Sequence, residues 1–305
     1  MLKAHSKNIT VSIGIPVYNE EGTIIKLLSV LEKQIQTGFE LMEIFVYSDG
    51  STDRTNNLVK KYKNKKLTLI SSNDRKGKIF GIKEIVRKSK GNVILLIDAD
   101  IAIQGNTFVS TMIRPFIKDK RMGLVSGNRV PVKVESFIEK AIFTSIRAYD
   151  SIGLHMNNGA NPFNCHGGAL AIKRALAVKL NFPQSIFDTD TYLYFSCLHE
   201  KYTFHFAKNA VYKIKLANTL EDVLSQYKRY LIIDAYSSDK FSRLIKREYS
   251  VPFWIRLKYI LKELMLDPIH TITMYFIIQY SKNAKNIARE ANPTWAIAGS
   301  TKGRL

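Results

Sequence analysis

An unbroken apolar run, Val93-Ile94-Leu95-Leu96-Ile97, ends abruptly in Asp98-Ala99-Asp100. A strand that is apolar at consecutive positions buries both of its faces, which calls for a parallel sheet covered by helices on either side. Its polar end is where the chain meets solvent, and chemistry should be sought there. Two carboxylates one residue apart can converge on one divalent cation, and their hard oxygen donors suit Mg²⁺ or Mn²⁺ rather than a soft metal. A cation so held can in turn hold a diphosphate. The alternative is a solvated turn or a helix cap, the commoner fate of a short acidic triplet.

The sequence before this strand repeats one pattern. Val11 to Val17 reads as a first strand running into the loop Pro16-Val17-Tyr18-Asn19-Glu20-Glu21, followed by a helical pattern from Thr23 to Ile35. Glu43 to Tyr47 is a second strand, ending in Ser48-Asp49-Gly50-Ser51-Thr52-Asp53, a turn-and-cap sequence before a helix over Asn56 to Lys63. Leu67 to Ser71 is a third strand, and Lys76-Gly77-Lys78 opens another helix before the Asp98 strand. Such βαβαβαβ alternation builds a parallel sheet with helices on both faces and ligands at the carboxyl ends of its strands. Pro16 to Glu20, Asp49, Asp98 and Asp100 all belong to that edge.

The ordered set of motifs resembles the family 2 glycosyltransferases, which have the nucleotide-sugar-binding GT-A fold. The matching pieces are Ile15 to Glu21, Asp49 to Asp53, Gly77-Lys78 with its helix, and Asp98-Ala99-Asp100. They continue with Gly167 to Arg174, Asp188-Thr189-Asp190 and Gln226-Tyr227-Lys228-Arg229-Tyr230, so the resemblance spreads over roughly residues 10 to 235. Two departures stand out. The family usually has two adjacent acids where this chain has Ser48-Asp49, and usually Trp where it has Tyr230. The resemblance implies an α/β fold with a Rossmann-like, mostly parallel central sheet flanked by helices and a helical C-terminal extension. Residues 1–104 would form the donor half, 105–245 the acceptor and catalytic half, and 246–305 the basic extension.

The resemblance also assigns roles. The donor nucleoside would lie against Pro16, Tyr18, Glu20 and Asp49, with Lys78, Asp98, Ala99 and Asp100 completing the donor site. Asp100 would coordinate Mg²⁺ or Mn²⁺ directly, while Asp98 would contact the ribose or reach the metal through water. Asp190 is the expected base: a carboxylate opposite the leaving group can take the proton of an acceptor hydroxyl as the bond forms. Its alternative role is a helix N-cap, a position that favours Asp and Thr. His166, Gly167 and Gly168 would meet the acceptor or the diphosphate, the glycines by allowing close backbone approach; packing is the other reading of His166. Gln226, Arg229 and Tyr230 share a helix face by their i, i+3 and i+4 spacing and would approach the diphosphate. In-line displacement predicts inversion. UDP-sugars are the first expectation for the donor and GDP-sugars the second, with a glycan or a lipid-linked acceptor; a polyprenyl phosphate is the alternative acceptor.

The chain has 305 residues and a formal charge of +20, with only Cys165 and Cys197 as cysteines. No apolar leader segment follows the basic start, so a reduced, cytoplasmic setting is the expectation. Residues 201–305 carry 18 Lys/Arg against 8 Asp/Glu. Charge of this size also fits a nucleic-acid-binding protein, but the cations are dispersed and no recognised binding module is present, so no nucleic-acid partner is expected. A nucleotidyltransferase would carry a Gly-rich phosphate loop after its first strand, where this chain has Pro16-Val17-Tyr18-Asn19-Glu20. A basic chain equally suits an anionic membrane surface. Ile269 to Tyr280 is too short to span a bilayer. Phe253 to Leu266 reads as an amphipathic helix, with Phe253, Trp254, Leu257, Ile260, Leu261, Leu264 and Met265 on one face and Arg256, Lys258, Lys262 and Glu263 opposite. It would either pack its apolar stripe on the core or attach the protein peripherally to the inner face of the cell membrane.

Overall fold

A computed structural model describes residues 9–183, 188–227 and 238–283. The chain runs β1 (Ile9–Val17), α1 (Ile24–Glu32), β2 (Phe39–Asp49), α2 (Thr55–Lys61), β3 (Leu67–Ser72), α3 (Lys78–Lys88) and β4 (Val93–Ile97). It continues through β5 (Ala102–Ile103), α4 (Phe108–Lys118), β6 (Met122–Pro131), α5 (Phe137–His155), β7 (Ala169–Lys173), α6 (Arg174–Ala177), α7 (Thr189–His199) and β8 (Thr203–Ile214). Helical residues 220–227, here α8, are followed by α9 (Ser238–Glu248), α10 (Phe253–Leu266) and α11 (Pro268–Asn283).

All eight strands form one sheet in the order β3-β2-β1-β4-β7-β6-β8-β5. Pairings within β3-β2-β1-β4 are parallel, as the alternating pattern requires. β7 then enters antiparallel between β4 and β6, pairing Ile97 with Ala169. That register brings the residues just before β7 beside those just after β4, and the site is built there. β5 crosses to the far edge and pairs with Tyr212 and Lys213 of β8, so the sheet is continuous through both halves of the chain.

Burial explains the sequence pattern. All five residues of β4 are buried, because helices cover both faces of the sheet. Side chains pointing to one face pack with Leu27 and Leu28 of α1, Val59 of α2 and Phe108 and Met112 of α4. Those on the other face pack with Ile82 and Ile85 of α3 and Leu193 and Phe195 of α7. A third cluster joins α5, α8 and α11 through Ala141, Ile142, Val223, Met274 and Ile277. At roughly 1.5–3 kcal/mol for each fully buried large aliphatic side chain, the two sheet faces supply most of the driving force for folding.

Several boundaries differ from the sequence reading. Helices α1 and α2 stop at Glu32 and Lys61, short of Ile35 and Lys63. Strand β2 begins at Phe39 rather than Glu43, since pairing with β1 extends it. The amphipathic helix α10 does not pack its apolar stripe wholly on the core. Glu263 is 2% exposed and its carboxylate lies 2.7 Å from the Arg147 guanidinium of α5, so part of the polar side of α10 faces inward. The apolar side, with Trp254 75% and Met265 86% exposed, faces outward. A half-buried arginine on α5 needs a counter-charge, and that requirement overrides the hydrophobic stripe. No described helix is long and apolar enough to cross a membrane.

Candidate active site

Loops at the carboxyl ends of β1 and β2 are tied together by short polar side chains. Asn19, at φ +51°, accepts the backbone N–H of Thr52 through Oδ1 at 2.8 Å and donates its own N–H to Ser51 Oγ at 3.1 Å. The Glu20 N–H donates to Thr55 Oγ1 at 2.8 Å, and Thr23 Oγ1 donates to the Glu20 carboxylate at 2.9 Å. Glu20 is thereby buried and fixed at the sheet edge. Pro16, in β1 opposite Tyr47, and half-buried Tyr18 lie at the same edge.

Asp49 ends β2 and is 5% exposed. Its two oxygens accept backbone N–H groups from Lys76 at 2.7 Å and Gly77 at 3.0 Å, which clamps the loop between β3 and α3. The loop must pass close to Gly50, where φ is +69° and a Cβ would lie 3.0 Å from the Arg75 nitrogen, so only glycine suits this position. Clamping puts the Arg75 guanidinium over the Tyr18 ring, 3.9 Å from its centroid. Arg75 did not stand out in the sequence. Its only signal was the basic loop Arg75-Lys76-Gly77-Lys78 opposite a loop aromatic, a pairing that requires the fold to be known.

Lys78, the first residue of α3, reaches the end of β4. Its Nζ lies 2.6 Å from Asp98 Oδ1 and 2.8 Å from Oδ2. Ala99 is buried, and Asp98 and Asp100 are half-buried on either side of it. Burial pushes the Asp100 carboxyl up to about 6, with further contributions from the charges of Asp98 and then Glu20 that Lys78 only partly offsets. Three carboxylates therefore concentrate negative potential at one point. Among the described residues there is no ready-made cluster of three or more metal-ligating side chains. Asp98 and Asp100 nonetheless present only hard oxygen donors in an acidic recess, a donor set that fits Mg²⁺ or Mn²⁺ provided other ligands complete the shell.

The register of β7 supplies the opposite wall. Asp98 donates its N–H to the Gly168 carbonyl at 2.9 Å. A Cβ on Gly167 would lie 3.3 Å from Asp190 Oδ2, so the Asp190 carboxylate rests against Gly167. The acid pair after β4 and the acid that begins α7 thus flank one two-residue segment. Capping of α7 falls to Asp188, whose carboxylate accepts from Thr191, leaving the Asp190 side chain outside the cap. Gly168 has a packing reason instead of the open space expected for a sugar: a Cβ there would meet the Tyr212 ring at 2.7 Å.

His166 is 5% exposed, and burial, with the nearby Arg129 charge, holds its imidazole well below the ordinary range. Its ring is buried and set edge-on to Phe206, with centroids 6.1 Å apart. Asp150 of α5 lies 4.0 Å from its Nε2 and 3.3 Å from Arg129. Beside them a cavity of about 230 Å³ opens between β6 and α5, walled by Val130, Phe143, Ile146 and Phe206 with Arg129, Arg147 and Asp150 at its polar side. Gln226 is half-buried on α8. Arg229 and Tyr230 lie outside the described residues.

A family model, Glycosyl transferase family 2, matches residues 12–178. The chain belongs to this family. The matched stretch of the glycosyltransferase holds the loops after β1 and β2, the acid pair and the Gly167-Gly168 segment. Dolichyl-phosphate beta-glucosyltransferase ALG5D of Trichomonas vaginalis is 27% identical over 157 residues, 48% of this chain and 47% of that protein. Poly-beta-1,6-N-acetyl-D-glucosamine synthase of Staphylococcus aureus is 29% identical over 112 residues, 36% of this chain and 26% of that protein. The alignments reach about half the length of the first of these curated relatives. Among solved structures, the mannosyltransferase PcManGT of Pyrobaculum calidifontis, in complex with GDP-Man and Mn²⁺, superposes with a TM-score of 0.59 at 20% identity, covering 94% of this chain and 78% of that one. Residues 1–349 of TarS from S. aureus, in complex with UDP, give 0.51 at 15% identity and 93% of both chains. At such identities the likeness establishes the GT-A fold.

Proposed function

We propose that this glycosyltransferase moves a sugar, with inversion, from a nucleoside-diphosphate donor to a hydroxyl acceptor in the synthesis of a cell-envelope or lipid-linked glycan. The observation that supports the reading is that Asp98 and Asp190 both meet Gly167-Gly168: the Asp98 N–H donates to the Gly168 carbonyl and the Asp190 carboxylate rests against Gly167. Tyr18, stacked under Arg75, and Glu20 receive the nucleoside. Asp100, with Asp98 steadied by Lys78, holds Mg²⁺ or Mn²⁺, which when bound neutralises charge on the departing diphosphate. Asp190 accepts the acceptor's hydroxyl proton as that oxygen attacks the anomeric carbon from the face opposite the leaving group. The apolar-walled cavity beside Asp150 receives the acceptor's body. Gln226, Arg229 and Tyr230 are assigned to the diphosphate.

UDP-hexoses and UDP-N-acetylhexosamines are the favoured donors, with GDP-mannose next; the ligands bound in the structural neighbours, UDP and GDP-Man, support that range. A polyprenyl-phosphate acceptor is the second reading, favoured by the names of the dolichyl-phosphate relatives. The test is a panel of nucleotide sugars screened by thermal shift with Mn²⁺, followed by transfer assays on the hit. A donor-specific shift that is lost with chelator and in Asp100→Ala is the expected result. Full transfer activity in both cases refutes the reading.

A further inference from the structure

Helices α10 and α11 form a hairpin whose outer surface is unusual for a basic protein. Eleven of the twenty exposed large apolar side chains among the described residues lie between Phe253 and Tyr280. Phe253, Trp254, Met265, Leu266, Phe276 and Tyr280 are each more than 60% exposed. Apolar exposure concentrated in this way on one pair of helices marks an interaction site. The hairpin is anchored on its inner side, where Met274 and Ile277 of α11 are buried against α5 and Glu263 of α10 pairs with Arg147.

The charge pattern selects the partner. Arg256, Lys258, Lys262 and Lys282 are exposed on the hairpin. Its two acids are withdrawn: Glu263 is buried against Arg147, and Asp267 is bound to the His270 imidazole at 2.7 Å. The exposed charge of α10 and α11 is therefore all positive, and it borders an apolar surface carrying Trp, Phe and Tyr. Aromatic and aliphatic side chains beside unopposed lysines match the boundary between headgroups and acyl chains in a leaflet rich in anionic lipid. We propose that the α10–α11 hairpin docks this enzyme on an anionic lipid bilayer, its apolar outer face lying in the interface and its cations on the lipid headgroups. The surface lies outside the donor loops, and the proposal stands whether or not the donor assignment does.

Vesicle flotation of the full chain, with no nucleotide sugar present, tests this. Binding to phosphatidylglycerol-containing vesicles should exceed binding to pure phosphatidylcholine by about tenfold or more at low salt and weaken as salt is raised. Trp254→Glu with Phe276→Glu should abolish it while leaving the melting temperature unchanged, because both side chains are already exposed. Arg256→Gln with Lys258→Gln and Lys262→Gln should erase the preference for anionic lipid. Absence of vesicle binding by the full chain overturns the proposal, whether light scattering then finds the face occupied by a second copy or finds a monomer. Vesicle binding that persists undiminished in the Trp254→Glu/Phe276→Glu variant overturns it as well.

Discussion

Replacing Gly168 by alanine asks whether the segment between the two acidic walls has room to move. The added Cβ would lie 2.7, 2.9 and 3.0 Å from three atoms of the Tyr212 side chain, against an ordinary contact of 3.4 Å or more. The ring cannot retreat easily: it is 1% exposed, meets Phe108 edge-on, and lies against Gly127, where a Cβ would be 3.1 Å from it. Strain must therefore be taken up by the backbone at 167–168, which carries the carbonyl that Asp98 binds. Overpacking of this kind costs about 1–3 kcal/mol, and a weakened hydrogen bond adds about 1 kcal/mol. Urea denaturation of the wild type, Gly168→Ala, Tyr212→Leu and the double variant measures it. Removing the ring vacates the space the methyl needs, so the double variant should be more stable than the sum of the single losses predicts, by about 1 kcal/mol or more. Transfer activity should fall in Gly168→Ala and recover in part in the double variant. An unchanged midpoint in Gly168→Ala, or strict additivity, would refute the account.

Asp190→Asn should lower transfer by about 10²–10⁴-fold and leave the donor-induced thermal shift intact; wild-type turnover would transfer the assignment to an ionised phosphate acceptor. Because burial and neighbouring acids push Asp100 up to about 6, its carboxyl is protonated on acidification and a cation must displace that proton. Mn²⁺ affinity measured by calorimetry should therefore fall as pH is lowered through about 6, with proton release on binding, and a flat profile between about pH 5 and 7 would contradict the site. Cys165 and Cys197 are buried free thiols, the first raised well above the ordinary range by burial and the second pushed by burial up to about 12. Ellman's reagent should leave both untouched in the native protein and titrate both after unfolding; fast native labelling of either would contradict their burial.

The parallel part of the sheet, β1 to β4, was legible because its signals are local. Each apolar run from β1 to β4 is followed by turn residues and a helical period, and Asp98 and Asp100 stand out against the strand they terminate. Chain order also put Asp190 at the head of a helix. Sequence could not show that Asp188, not Asp190, takes the cap, since both residues suit the position equally. Nor could it show that β7 enters antiparallel, which is what carries Gly167-Gly168 to the acid pair. Arg75 on Tyr18 joins residues of two loops whose proximity depends on Asp49 holding backbone N–H groups. Glu263 belongs to the polar face of α10 by periodicity and to the interior by its partner Arg147, a partner 116 residues away.

The insertion of β7 next to β4 has a consequence during synthesis on the ribosome. β1, β2, β3 and β4 can pair as soon as Ile97 emerges, but the open edge of β4, wholly apolar in its side chains, has no neighbour until Ala169, 72 residues later. At roughly 5–20 residues per second that interval lasts about 4–14 s. Over that time the nascent chain presents a hydrophobic, unpaired edge at the centre of its future sheet. Such an edge invites pairing with other chains. Yield from heterologous expression should therefore depend on chaperone supply and translation rate between residues 97 and 173 more than on the stability of the finished protein.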